Sequence, residues 1–130
     1  MRARGERVDI EKLKPFARIY VAAAFGKEFD KTVGFEKPRY QDWLDEKLRQ
    51  LDTYSPTQLA RLMDFEKLQN IKQDIYAIRK PRSKLNPRVL YVYNDGNRIV
   101  LLTAFAEKRK SDYSKGVALA IKRMKELGLG

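Results

Sequence analysis

The chain is 130 residues long, carries a formal net charge of +11, and contains neither cysteine nor histidine. Its length suits one domain with one core, and the missing residue types exclude disulfides, thiolate metal sites and nucleophiles activated by histidine. Residues 72–130 hold 14 Lys and Arg against 5 Asp and Glu, so nucleic acid is the expected acidic partner.

The start of the chain predicts a charged arm over residues 1–14, followed by a single folded domain over residues 15–130. The arm (MRARGERVDIEKLK) has no apolar core of the kind found in signal peptides. The longest apolar run, residues 19–25, is too short to cross a bilayer. We therefore expect a cytoplasmic protein without a membrane partner.

A short strand and a long helix are predicted before residue 52. Residues 18–21 (RIYV) favour a strand that opens the sheet, and residues 30–37 favour a connecting loop. Residues 38–51 predict an amphipathic helix, because their apolar side chains recur on one face at helical spacing. Those side chains are Tyr40, Trp43, Leu44, Leu48 and Leu51.

Ser55 and Gln58 predict the start of a second helix. The serine hydroxyl can bond the backbone N–H three residues on, and the glutamine side chain can reach back, which is a capping box. The helical spacing predicts that Leu59, Leu62 and Met63 face inward, as core residues rather than a ligand site.

Three β-type runs follow, at residues 75–79, 88–93 and 98–105. They are rich in β-branched and aromatic residues, and Asp95-Gly96 between the last two is a strong hairpin signal. In three adjacent antiparallel strands, the end of the first, the start of the second and the end of the third lie at the same edge. Tyr91 shares a strand face with Tyr93, two residues on, so both are expected to pack on the sheet.

Two basic clusters flank these strands at that edge. Because the three strand ends coincide there, the clusters should converge in space and form a site for a polyanion. The first cluster consists of Arg79, Lys80, Arg82, Lys84 and Arg88. The second consists of Lys108, Arg109 and Lys110, with Tyr113 close behind it.

A last helix is predicted between two signals. Residues 111–114 (SDYS) are expected to cap its start, and Gly128 is expected to end it. Its apolar face consists of Val117, Ala120, Ile121, Met124 and Leu127. The predicted order of elements is β-α-α-β-β-β-α, which is typical of an α+β fold.

This order resembles the RelE/ParE superfamily of bacterial and phage toxins, which belong to type II toxin–antitoxin systems. The resemblance covers residues 17–127 and is carried by IYAIR at 75–79, the hairpin sequence at 88–105, and EKRK at 107–110. The HigB and phage-related RelE-like branch is the most similar. It implies a RelE-like fold, with a twisted, mainly antiparallel sheet, two N-terminal helices packed on it and a C-terminal helix.

The resemblance also implies a function. Members of the RelE and HigB branches cleave messenger RNA in the ribosomal A site without a metal, and so inhibit translation. Members of the ParE branch instead inhibit DNA gyrase. Members of both groups are neutralised by a cognate antitoxin protein. The expected partners are therefore an antitoxin, messenger RNA and the ribosome, with gyrase as the alternative target.

Metal-free RNA cleavage can proceed without histidine and without a cofactor. The 2′-hydroxyl attacks the phosphate, so the enzyme must remove a proton, stabilise the phosphorane and protonate the leaving oxygen. Arginine suits the second task because its planar fork matches phosphate, but its pKa above about 12 excludes it as a base. Lysine or tyrosine can remove the proton if neighbouring cations lower a pKa of about 10.

The resemblance assigns roles to residues of the two clusters. Arg88 opens a strand that matches the pattern R-[LV]-[LV]-Y, which implies phosphate binding. Lys108 and Arg109 match the basic pair after the final core strand, with Arg109 stabilising the transition state. Tyr113 matches a tyrosine near the start of the last helix, for base stacking or proton transfer. The remaining cations, expected to bind RNA, are Arg79, Lys80, Arg82, Lys84 and Lys110, and no metal ligand is expected.

Three departures from the family pattern keep alternatives open. Ala77 stands where RelE-type enzymes often carry a lysine, Tyr113 is closer to Arg109 than the RelE spacing, and the histidine of HigB-type enzymes is missing. The alternatives are a ParE-like gyrase inhibitor and a non-catalytic module that binds RNA or protein.

Each basic residue also has a structural interpretation. Arg79 and Arg88 can pair with Asp74 or Asp112, and residues 108–110 can be a solvated turn or a contact for an acidic antitoxin.

Overall fold

One six-stranded open sheet forms the centre of the computed structural model, which describes residues 10–95 and 98–129. Its strands follow the spatial order β1-β2-β6-β5-β4-β3, and all neighbours are antiparallel except β2 and β6. The strands are β1 (Ile10–Lys12), β2 (Ile19–Ala22), β3 (Phe65–Lys67), β4 (Tyr76–Arg79), β5 (Pro87–Asn94) and β6 (Arg98–Ala106).

Four helices and a 3₁₀ turn connect the strands in the described residues. They are α1 (Phe25–Val33), the 3₁₀ turn Gly34–Glu36, α2 (Lys37–Thr53), α3 (Pro56–Leu59) and α4 (Lys110–Glu126). In the part of the chain that the structure describes, no helix has both the length and the apolarity needed to span a membrane. The architecture is α+β, as the sequence predicted.

The sheet is buried on both faces. On what we call the α1 face, Phe29 of α1 and Leu48 of α2 share a core with Val89 of the sheet. On the opposite α4 face, Val117 of α4 shares a second core with Leu90. Because alternate side chains of each central strand enter different cores, the strands are almost continuously apolar.

The predicted helix over 38–51 is confirmed as α2, and the predicted capping box as the start of α3. Ser55 Oγ accepts a hydrogen bond from the Gln58 N–H at 3.2 Å, and Gln58 Oε1 accepts one from the Ser55 N–H at 2.8 Å. The helix is only one turn long, however, because the chain turns back into β3. Leu59 is buried, but the inward orientation predicted for Met63 is wrong, since that side chain is largely exposed.

The loop predicted over 30–37 is wrong. Helix α1 continues to Val33, and the 3₁₀ turn fills the rest of the interval. Phe25, Phe29 and Val33 lie four residues apart and bury one face of α1 in the core. The free energy gained by burying these three apolar side chains outweighs the helix penalty of Gly26, which is about 1 kcal/mol.

Two three-residue strands, β1 and β3, were not predicted. Strand β1 lies within the segment predicted as an arm and pairs with β2, Ile10 opposite Ala22. Residues 1–9 lie outside the described part, so the arm and its boundary at residue 14 stay predictions.

The three predicted adjacent strands are confirmed as β4, β5 and β6. Arg79 lies opposite Arg88, and Arg88 lies opposite Phe105, so the three strand ends meet at one edge of the sheet.

At the other edge Asp95 has φ of 58°, as a tight hairpin requires, while Gly96 lies outside the described residues. Tyr91 and Tyr93 pack together, with the centres of their rings 5.9 Å apart, as predicted.

Helix α4 begins at Lys110, one residue before the predicted cap. Its first turn is capped by Asp112, whose Oδ2 accepts hydrogen bonds from the N–H groups of Lys108 and Arg109, both at 3.0 Å. These two bonds lower the pKa of Asp112. The end is as predicted, with Gly128 in a left-handed conformation, φ 70°.

Candidate functional site

The two basic clusters come together through Asn86. Its carbonyl accepts a hydrogen bond from the Glu107 N–H at 3.0 Å, and its side-chain amide donates to the Glu107 carbonyl at 2.9 Å. Asn86 ends the loop that carries the first cluster, and Glu107 directly precedes Lys108. One edge of the sheet therefore carries both clusters.

Arg88 is clamped between two carboxylates. Its Nη1 lies 2.8 Å from Glu66 Oε2, and its Nε forms an ion pair with Glu107 Oε1. The guanidinium also lies 5.7 Å from the centre of the Tyr113 ring, within the range of a cation–π contact. The Arg88 side chain is only 14% exposed, so these partners surround it almost completely.

Glu66 is shared by two arginines. Arg79 lies beside Arg88 on the neighbouring strand, and its Nη1 is 3.7 Å from Glu66 Oε1. Both arginines therefore form ion pairs, as their structural interpretation predicted, but the partners are Glu66 and Glu107. Of the carboxylates proposed from the sequence, Asp74 pairs with Lys67 and Asp112 caps α4.

Tyr113 closes one side of this arrangement. Partial burial raises the pKa of its phenol, Glu66 raises it further, and Arg88 opposes the change. The expectation that nearby cations lower the pKa of this tyrosine is therefore wrong. Its hydroxyl stays protonated at neutral pH and can donate a proton or a hydrogen bond.

A cleft lies beside Glu66 and Tyr113. Its volume is about 340 Å³, and residues 66–71 line it together with the tyrosine. Asn70 in this wall has φ of 63°, which turns the chain sharply after β3. The cleft is within the size range of small-ligand sites, and a carboxylate and a phenol face it from different elements.

The second basic cluster is exposed and uncompensated. Lys108, Arg109 and Lys110 are exposed, and among the described residues none of their side chains forms an ion pair within 4.0 Å. In the first cluster Arg82 is exposed, and Lys84 is 3.5 Å from Glu36. Positive charge thus faces solvent around a site whose centre is electrically balanced.

Sequence reasoning missed the two carboxylates of the site. Glu66 lies on β3, whose three residues are too few to show a strand period. Glu107 is the first residue of the motif EKRK. The sequence pattern assigned phosphate binding to the three cations that follow it and gave Glu107 no role. Within residues 10–95 and 98–129, no group of three or more carboxylates is placed to hold a metal ion.

Comparison with known proteins gives one match. The family model described as phage derived protein Gp49-like (DUF891) matches residues 38–125, about two thirds of the chain. The matched region begins in α2, ends in α4, and includes Glu66, Arg88 and Tyr113. No curated protein and no solved structure matches the chain.

Proposed function

The chain belongs to the Gp49-like family of phage-derived proteins, within the RelE/HigB-like toxin superfamily, and we propose that it is a ribonuclease toxin. Members of the family are commonly the toxins of toxin–antitoxin pairs, which implies a cognate antitoxin as partner. The finer proposal is a RelE-like fold with metal-independent cleavage of messenger RNA on the ribosome, in the manner of the HigB branch.

The observation that supports this proposal is that Glu66 and Tyr113 line one cleft, with Arg88 in contact with both of them. A carboxylate can take a proton, a guanidinium can stabilise a phosphorane, and a protonated phenol can supply a proton. These are the three requirements of metal-free RNA cleavage, met here without histidine.

In the proposed reaction, Glu66 removes the proton of the 2′-hydroxyl. The 2′-oxygen then attacks the phosphorus atom, and the bond from phosphorus to the 5′-oxygen breaks. Tyr113 donates its phenolic proton to that leaving 5′-oxygen, and the products are a 2′,3′-cyclic phosphate and a free 5′-hydroxyl. Over the whole reaction one P–O bond forms and one breaks, and the proton that Glu66 takes is matched by the proton that Tyr113 gives, so no oxidant or reductant is required.

The cations have separate tasks in this proposal. Arg88 and Arg79 hold the Glu66 carboxylate in position and place positive charge behind the developing phosphorane. Lys108 and Arg109, which are exposed, contact the phosphate and its neighbours. Lys108 and Arg109 keep the roles that the resemblance implied. Arg88 and Arg79 instead act through Glu66, and the base is Glu66 rather than a lysine or tyrosine.

The test is primer extension on a ribosome complex programmed with a defined messenger RNA. We expect wild type to cut at the A-site codon, and Glu66→Gln and Tyr113→Phe to cut at least about a hundredfold more slowly. The matched control is Lys122→Ala, which removes an exposed cation from the last turns of α4. Absence of wild-type cutting, with a folded protein, would overturn the ribonuclease proposal.

A gyrase inhibitor of the ParE type is the second candidate, and two observations favour it. Ala77 lies opposite Glu66 in the sheet, on the face that carries Arg79 and Arg88, so the lysine of RelE-type enzymes is missing from this very face. The charge of Arg88 is also balanced by carboxylates. Inhibition of DNA supercoiling by wild type, without any RNA cleavage, would establish this alternative.

A further inference from the structure

Phe35 is fully exposed, in contrast to the neighbouring phenylalanines of α1. Phe25 and Phe29 are buried in the core, but the chain leaves the helix at Gly34, whose φ of 54° starts the 3₁₀ turn. That turn points the next side chain into solvent. Single exposed apolar side chains are common on protein surfaces, so the exposure of Phe35 indicates a ligand site only together with the cations near it.

Cations flank this side chain. The next residue, Glu36, forms an ion pair with Lys84 at 3.5 Å, which fixes the first basic cluster beside the 3₁₀ turn. A second anchor lies one turn further along α2, where Tyr40 Oη accepts a hydrogen bond from the Leu85 N–H at 3.2 Å. Arg39, exposed in the first turn of α2, follows Phe35 by four residues.

The 3₁₀ turn lies at the same end of the sheet as the cleft. The loop that carries Lys84 is bonded through Asn86 to Glu107, next to the second basic cluster. The last turn of α1 reaches the end of β6 as well, where Thr32 Oγ1 donates to the Ala104 carbonyl at 3.4 Å. The 3₁₀ turn, the loop that carries Lys84 and the second basic cluster therefore lie at the same end of the sheet.

We propose that Phe35, Arg39 and Lys84, which we call the Phe35 surface, bind single-stranded RNA outside the cleft. A base stacks on the Phe35 ring, and the two cations bind the adjoining phosphates. Proteins that bind single strands combine a basic track with aromatic rings in this way. A protein-docking site of comparable strength would instead surround its aromatic anchor with apolar contacts.

This inference rests on the proposed function for the nature of the RNA, but it has its own test. Fluorescence anisotropy would measure binding of labelled 2′-O-methyl oligonucleotides, which cannot be cleaved because they have no free 2′-hydroxyl. Short oligomers of about 4 nucleotides and long ones of about 16 span the usual site sizes of single-strand-binding domains.

We expect Phe35→Ala to weaken binding of the long oligonucleotide about tenfold or more, because one stacked base is lost. Phe35→Tyr should bind like wild type, whereas Phe35→Leu should resemble Phe35→Ala. Met63→Ala is the matched control, since it shortens another exposed apolar side chain. Equal binding of the long oligonucleotide by wild type and Phe35→Ala would overturn the inference.

Two further outcomes separate this inference from the proposed function. In one outcome, wild type binds the long oligonucleotide through Phe35 but cuts no RNA on ribosomes. That result would support RNA binding at the Phe35 surface and overturn the ribonuclease proposal. Wild type that cuts RNA while Phe35→Ala loses affinity only for the antitoxin would retain the ribonuclease and make this surface a protein-docking site, which overturns the inference.

Discussion

Two arginines of this protein are buried to the same degree, yet their surroundings differ. The Arg88 side chain is 14% exposed and the Arg123 side chain 13%. Arg123 of α4 binds both carboxylate oxygens of Glu28 at 2.5 Å and the Leu102 carbonyl at 2.7 Å. It thereby joins α1 to α4 across β6, beyond the point where β2 ends.

The carboxylate partners explain the difference. Thr103 Oγ1 also donates to Glu28, at 2.7 Å, so that carboxylate is engaged by three donors from two elements. Glu28 and Glu66 both border clefts, of about 420 Å³ and about 340 Å³. Glu66 differs because two arginines share it and because the Tyr113 phenol lines the same cleft. An arginine–carboxylate pair can support proton transfer to a ligand when a proton donor lines the cleft beside its carboxylate.

The largest expected effect is on catalysis, at Glu66. Glu66→Gln keeps the shape of the side chain but cannot take a proton, so we expect RNA cleavage to fall by about 10³-fold. Glu28→Gln is the matched change in the other pair and should leave cleavage per folded molecule unchanged. Both are measured by primer extension after the folded fraction is determined by circular dichroism. An equal loss of RNA cleavage in Glu66→Gln and Glu28→Gln would contradict the catalytic role given to Glu66 alone.

The second effect is on stability, at Arg123. Arg123→Leu leaves Glu28 buried without its cation, so we expect the free energy of unfolding to fall by about 3 kcal/mol. The double variant Glu28→Leu/Arg123→Leu should recover much of this loss, because it buries no charge. Urea denaturation followed by tryptophan fluorescence provides the measurement. An unchanged denaturation midpoint in Arg123→Leu would show that the pair contributes nothing.

A third effect concerns Gly116, which lies between Tyr113 and Arg123 on α4. A Cβ added at Gly116 would lie 2.3 Å from the Phe105 ring, so either the ring or the helix must shift. We expect Gly116→Ala to lower the free energy of unfolding by about 2 kcal/mol and to reduce cleavage as Tyr113 moves.

Phe105→Leu is the compensating change, because it removes the ring from that position. The double variant Gly116→Ala/Phe105→Leu should be more stable than Gly116→Ala alone, as measured by thermal unfolding. If the two changes are simply additive, the close contact does not control the position of α4.

The smallest effect is expected at Asp112, the cap of α4. Its pKa is lowered in the folded state by the backbone hydrogen bonds from Lys108 and Arg109, so its stabilisation is present above the unfolded pKa. That stabilisation disappears as the pH falls through the folded pKa. We therefore expect Asp112→Asn to melt slightly below wild type at pH 7 and at the same temperature in strong acid. A gap that persists in strong acid would contradict this origin.

Much of the fold could be predicted because its signals are local. The repeat of apolar residues identified α2 and α4, the capping box identified α3, and Asp95 identified the hairpin. Strands β1 and β3 could not be predicted, because three residues form a strand only when a neighbour supplies the hydrogen bonds. Helix α1 was missed because Gly26 argued against a helix, whereas burial of its apolar face in the core makes the helix favourable.

The sequence alone determined which cations gather at one end of the sheet, since strand order and the alternation of side chains are properties of neighbouring residues. It did not reveal which carboxylates meet them. Glu66 lies 22 residues before Arg88 and meets it because β3 pairs with β4 and β4 with β5. Charge compensation depends on distances of a few ångströms across the sheet. Only the tertiary structure therefore decided that Arg88 is clamped by two carboxylates while Lys108, Arg109 and Lys110 face solvent.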